Sequence, residues 1–336
     1  MWFRNLQIYR LRDCAITPDK LEEALASMIF RPCGNMDMQS RGWLAPRGEG
    51  GALVHVIKGQ MLIALGVEQK LLPAAVINQY AQERAAEIEE QQGYKPGRKQ
   101  LREIRERVAE ELLPRAFVRR RKTHAWIDPA GGWLVIDAAS PAKADELIEA
   151  LLKCSPDLTP ALVRTQLSPV TAMTGWLASL SPDALPAFAS AGSVHRGYAQ
   201  ATGEGDAGLL RESSFTEAPA GFSIDRDCEL LAPGEEKSLV RYVRHPLEAG
   251  EIRAHIESGK QVTRLAMTWN DRISFVLQEN MQVKRLAFLD LIKEESEQQA
   301  ESADEQFDAD FAIMSGELAR FLPDLVEALG GEAAVV

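Results

Sequence analysis

The chain has 336 residues, 46% apolar and 26% charged, which excludes wholesale disorder and allows one large or two ordinary domains. No apolar run approaches the roughly 18 residues of a membrane span, and Met1–Asn5 opens without a signal-peptide pattern, so neither insertion nor export is expected. Net charge is −11, which taken whole argues against a nucleic-acid partner.

In chain order, Trp2 to Leu11 reads as a strand. Thr17-Pro18-Asp19 then opens a helix to about Ile29, with Leu21, Ala24, Leu25 and Met28 on one face. Arg31 to Gly51 is rich in turn formers and reads as a loop. Strands Ala52–Ile57 and Gln60–Leu65 follow, joined at Lys58-Gly59. From Pro73 to Leu113 the pattern is helical, broken at Gly93 and Pro96-Gly97. The second helix carries Leu101, Ile104, Val108 and Leu112 on one stripe, with Arg98, Arg102 and Arg105 on its flank. This predicts a projecting antiparallel helical pair, stopped by Pro114.

Phe117–Asp128 and Trp133–Asp137 read as a hairpin, followed by a helix from Pro141 to Lys153. Ser155 to Gly221 is rich in Pro, Ser, Ala and Gly, with short helices expected at Pro169–Ser179 and Pro182–Ala189. Helical Leu247–Ser258 precedes a meander of Gln261–Thr268, Arg272–Gln278 and Gln282–Phe288, turning at Trp269-Asn270-Asp271 and Glu279-Asn280. A terminal helix follows, with Phe307, Phe311, Met314, Leu318, Phe321, Leu325 and Leu329 at helical spacing. The class is α+β, with antiparallel sheets interspersed with helices. A boundary near residue 160 separates two α+β regions. Residues 1–160 hold the helical hairpin 76–113 and the basic segment 95–122; residues 161–336 hold the meander 261–288 and the acidic terminal helix.

Sites for covalent or metal chemistry are scarce. Cys14, Cys33, Cys154 and Cys228 are far apart without a C-x-x-C pair, as in a reduced cytoplasmic chain. Gly48-Glu49-Gly50-Gly51 lacks the spacing of a phosphate loop and reads as a surface turn. His55, His124, His195, His245 and His255 include no H-x-x-x-H pair. Asp308-Ala309-Asp310 has two readings, a divalent-metal pair or carboxylates favoured by a helix N-terminus, and the second is preferred. No catalytic residue, metal or cofactor is assigned.

Charge is separated along the chain. Residues 294–336 hold twelve acids and one base, a net of −11, so the first 293 residues are neutral. Within them, residues 95–122 hold eleven bases (Lys95, Arg98, Lys99, Arg102, Arg105, Arg107, Arg115, Arg119, Arg120, Arg121, Lys122) against Glu103, Glu106, Glu110 and Glu111, a net of +7. Arg119 to Lys122 lie on an expected strand, so alternation sends them to both faces. Arginine suits bidentate phosphate contact, and neutralising phosphates gives binding that ignores base sequence and weakens with salt. No zinc-finger, zipper or aromatic RNA-binding signature accompanies the patch.

Several long motifs resemble the bacterial RdgC family across nearly the whole chain. They are Trp2-Phe3-Arg4-Asn5-Leu6; Phe30-x-Pro32-Cys33-Gly34-x-x-Asp37-Met38 with Gly42-Trp43; Leu112-Leu113-Pro114-Arg115-Ala116-Phe117; Ile256-Glu257-x-Gly259-Lys260-x-Val262-Thr263; Arg272-Ile273; and Phe307-Asp308-Ala309-Asp310-Phe311 with Met314-x-Gly316-Glu317-Leu318. The resemblance implies a ring-shaped homodimer with a positively lined hole that admits double-stranded DNA. It also implies restraint of RecA-promoted recombination, association with the nucleoid and no enzyme activity. By resemblance, Phe117 is a candidate for the apolar contact that closes the ring, with burial in the chain's own core as the rival reading. Lys95, Arg98, Lys99, Arg102, Arg105, Arg115, Arg119, Arg120, Arg121 and Lys122 are the expected DNA contacts. Arg241 and Arg244 keep basic character where the family has a basic stretch. The rivals are a metal-dependent nuclease at Asp308/Asp310 and an adaptor acting through the acidic terminal helix.

Overall fold

The computed structural model describes residues 1–12, 16–48, 50–179, 218–234, 238–245, 247–290, 292 and 302–333. Cys14, His195, the helix expected at Pro182–Ala189 and all of the acidic stretch 294–301 lie outside them. The chain is α+β and divides into two compact units, Met1–Leu162 with Ser296–Gly316, and Val163–Glu295 with Glu317–Val336. The terminal helix therefore contributes to both units, which a single sequence boundary does not express.

In the first unit an antiparallel sheet runs β2 (Gln39–Leu44), β4 (Gln60–Leu71), β5 (Phe117–Asp128), β6 (Trp133–Asp137), β1 (Leu6–Leu11). β3 (His55–Ile57) pairs with β4 and β7 (Pro160–Leu162) with β1. The Lys58-Gly59 connection has both residues at positive φ, 50° and 82°, the turn whose twist suits a two-residue hairpin. Helices α1 (Pro18–Ala26) and α4 (Pro141–Cys154) cover one face. Leu21, Leu25, Leu147 and Leu151 meet Ile63, Leu65, Ala125 and Ile127 there in one buried cluster.

Three expected boundaries move, and in each case a side chain takes up backbone groups at the element's end. β1 begins at Leu6, not Trp2, because the Asp137 carboxylate accepts the Arg4 and Asn5 N–H groups at 3.1 and 2.9 Å. β3 begins at His55, not Ala52, because Glu22 accepts the Leu53 and Val54 N–H groups at 2.9 and 2.7 Å. α1 ends at Ala26, where the Ser27 hydroxyl donates back to the Ala24 carbonyl. The stretch 31–51 is not all loop, since β2 lies inside it with Trp43 fully buried. Gly42 faces Gly66 across this pairing, and a Cβ on Gly42 would sit 2.5 Å from the Phe30 backbone.

Helices α2 (Ala74–Gln92) and α3 (Arg98–Leu112) pack on each other through Ala81, Ile104 and Val108, with Ile77, Ala85, Ile88 and Leu112 around them. This small cluster is separate from the sheet core, as a hairpin projecting from the unit requires. Gly93 ends α2 in the left-handed region at φ 78°.

The second unit carries an antiparallel sheet in the order β12 (Val283–Phe288), β11 (Ile273–Gln278), β10 (Gln261–Trp269), β8 (Phe222–Leu231), β9 (Leu239–Tyr242). β8 and β9 have no counterpart in the sequence reading. α5 (Pro169–Ala178) packs against β10 and α6 (Ala249–Glu257), and its Thr174 hydroxyl accepts the Val262 N–H. The last helix, α7 (Ala303–Ala328), buries Phe321 among Phe275, Trp269 and Phe222, with ring centroids 4.9, 5.7 and 6.5 Å away.

Candidate nucleic-acid interface

The hairpin α2–α3 as a whole is close to neutral, but its charge is graded along its length. From Gln91 to Arg102 there are four cations, Lys95, Arg98, Lys99 and Arg102, and no acid. The acids of α3 follow from Glu103 onward, towards the sheet. All four tip cations are exposed, as is Arg105. Among the described residues only Arg102 of these is paired, its Nε donating to Glu106 at 3.0 Å, one helical turn on. Among the described residues no ion pair holds Lys95, Arg98, Lys99, Arg105 or Arg115. The buried side of α3 is apolar, so the solvent side alone carries the charge.

The run Arg119–Lys122 is not the free basic strip that its sequence suggests. Register places Glu68 opposite Arg120, and that buried carboxylate accepts from the Arg120 guanidinium and from the Cys33 N–H. Both hold the Glu68 carboxyl below its ordinary range, the arginine foremost. Arg121 is paired with Glu146 of α4. The Lys122 ammonium donates to the Ala45 and Pro46 carbonyls, each at 2.8 Å, and burial lowers its pKa. Arg119 alone of the four has no such partner among the described residues. Sequence alternation finds the two faces, but the counter-ions come from Glu68 and Glu146, 52 and 25 residues away.

Phe117 is 84% exposed, so burial in the chain's own core is ruled out. It faces Leu71 across β4–β5 and is followed by Val118, both exposed as well. In the second unit, Arg241 is held by Glu229, while Arg244 is exposed at φ 53° with its N–H on Asp227.

Asp308 and Asp310 lie beyond the first turn of α7, whose acids are Asp304 and Glu305, so helix-terminal placement does not account for them. Arg47 reaches Asp304 at 3.3 Å and Asp308 at 3.7 Å, and His55 Nε2 sits 3.1 Å from Asp308. Asp310 pairs with the Met1 amine. Both carboxylates thus tie α7 to the first unit's other elements. Among the described residues no three His, Cys, Asp or Glu side chains gather as a metal site, and no helix is long and apolar enough to cross a membrane.

His124 lies on the same strand as the basic run, two residues beyond Lys122. Burial, then the charges of Lys122 and the N-terminus, push its pKa down to about 4. The folded state thus keeps this imidazole neutral where the unfolded chain protonates it. Stability is expected to fall as pH drops from about 6.5 to about 4, by about 3 kcal/mol in all, and to lose nothing further from this group below that. Burial lowers His55 as well, with the same sign. Urea midpoints of the parent and His124→Gln across this window check the expectation, because the variant should show the shallower pH dependence.

Residues 1–189 and 213–332 match the family model described as "Putative exonuclease, RdgC". The chain is 54% identical over 336 residues to the recombination-associated protein RdgC of Dechloromonas aromatica, covering 99% of this chain and 98% of that protein. It is 50% identical to that of Herminiimonas arsenicoxydans, with 99% of each covered, and 48% identical to that of Bordetella pertussis over the full length of both. These relatives are named as recombination-associated proteins. The chain belongs to the RdgC family.

Proposed function

We propose that this protein binds double-stranded DNA without sequence preference, as a homodimer closed around the duplex, and so restrains RecA-promoted strand exchange at the nucleoid. The observation that carries the reading is the acid-free hairpin tip, whose exposed Lys95, Arg98 and Lys99 have no carboxylate partner among the described residues. Unpaired cations on a projecting element offer phosphates a site at little cost in broken ion pairs. Arg105, Arg115 and Arg119 extend the patch, and Arg241 and Arg244 add a second basic region. The exposed Phe117 supports self-association, since an aromatic left in water gains most by meeting a partner. The relatives' name places them in recombination, where covered duplex is a poor substrate for a recombinase filament.

Light scattering with and without DNA tests the assembly, and binding to closed circular against linear duplex tests encirclement. The expected result is a dimer that stays on closed circles at a salt concentration where it leaves linear duplex. Equal loss from both would sink the ring.

The family description favours one second reading, a nuclease. Incubating linear duplex and closed plasmid with the protein and Mg²⁺ or Mn²⁺ separates the two, since an exonuclease needs a free end. The DNA-covering reading expects both substrates intact, and digestion of either that disappears in Asp308→Asn or Asp310→Asn would replace it.

A further inference from the structure

The second unit contains a cleft of about 70 Å³, several times what one ordered water needs, lined by residues of all five strands of its sheet. Arg241 from β9, Arg264 from β10 and Arg285 from β12 line it, together with Asp227 and Glu229 of β8. Strand register sets Arg241, Glu229 and Arg264 side by side across three neighbouring strands. The cations and acids are not matched. Arg241 Nε and Nη2 and Arg264 Nη1 all converge on the single oxygen Oε2 of Glu229, at 2.8, 2.5 and 3.3 Å. Arg264 Nε is buried and has no acceptor among the described residues. Among the described residues Arg285 reaches only Asp227, at 3.3 Å.

Three forked guanidiniums thus face two carboxylates, with donors to spare. A buried donor without a partner is costly unless a further acceptor arrives. The backbone is also unusual here. Arg285 sits at φ 51°, and Arg244, whose N–H goes to the same Asp227, sits at φ 53°. Left-handed conformations at residues other than glycine are uncommon and concentrate at ligand sites.

We propose that this cleft is an oxyanion site taking one phosphate group, with the guanidiniums of Arg241, Arg264 and Arg285 as its donors. A tetrahedral oxyanion presents several acceptor oxygens, which suits guanidinium forks that now crowd one carboxylate oxygen. Glu229 then acts as the resident competitor, holding Arg241 and Arg264 in place until phosphate shares them. The proposal does not need the hairpin tip or duplex encirclement, although it shares Arg241 with the second basic region of the proposed duplex-binding surface.

Calorimetric titration of the full chain with inorganic phosphate, against chloride at matched ionic strength, tests it. Arg264→Gln and Arg285→Gln are each expected to weaken phosphate binding about tenfold, and Glu229→Gln to tighten it. Arg285 is well exposed, so its variant keeps the test valid if the Arg264 change harms folding. No phosphate binding in the parent, or binding unchanged in both arginine variants, overturns the site. Duplexes with 5′-phosphate or 5′-hydroxyl ends assign the source. Tighter binding of the phosphorylated duplex, lost in Arg285→Gln, identifies a DNA terminus, and equal binding identifies free phosphate. Phosphate binding without duplex binding keeps this site and removes the duplex reading.

Discussion

Changing Arg98, Arg102 and Arg105 together to Glu is expected to make the salt dependence of duplex binding shallower by about 2 to 3 in the slope of log K against log salt. That figure follows from roughly 0.9 for each phosphate no longer neutralised. The fold should survive. All three side chains lie on the solvent side of α3, and a carboxylate at position 98 falls in the first helical turn, where the dipole favours it. At position 102 the new acid meets Glu106 one turn on, which costs only a few tenths of a kcal/mol. Fluorescence titrations at several salt concentrations give the slope directly, and an unchanged slope would mean that this face of the hairpin does not meet DNA. Arg120 and Arg121 are unsuitable for the same experiment. Reversing either would strand Glu68 or Glu146 beside a new like charge, and weaker binding could then reflect damaged structure.

Phe321→Ala should produce the largest loss of stability, about 3 to 5 kcal/mol in the second unit. The side chain is fully buried and meets three aromatic rings, two of them in edge-to-face geometry. Those rings come from β8, β10 and β11, so the cavity cannot close by moving one element. Trp176 and Trp269 belong to the same unit, and Trp269 touches Phe321, so their fluorescence in a urea titration reports the change. Phe117→Ala is the contrast. At 84% exposure it should alter the isolated chain's stability by less than about 0.5 kcal/mol while shifting the concentration dependence of dimer formation. A loss under about 1 kcal/mol for Phe321→Ala would mean that the aromatic cluster is not a packed core.

Much of the architecture is legible in the sequence because its signals are local. The α3 stripe of Leu101, Ile104, Val108 and Leu112, the Lys58-Gly59 turn and the β10–β12 meander each announce themselves within a dozen residues. β2 is hidden because turn formers surround it and its pairing depends on two glycines facing each other across strands. β8 and β9 escape a sequence reading, since β8 mixes charge into its buried row and finds its place only beside β10.

The candidate site divides in the same way. Composition alone located the basic segment, the neutral first 293 residues and the acidic tail, because charge adds along a chain without reference to shape. Which cations remain available is a different question. Arg119 and the tip are free of carboxylates among the described residues, save for Arg102 on Glu106, while Arg120, Arg121 and Lys122 are engaged. Arg264 stands beside Arg241 although the two are far apart in the chain. Electrostatic energy depends on distance through space, and only strand register and helix packing bring charges remote in the chain within a few ångströms of each other.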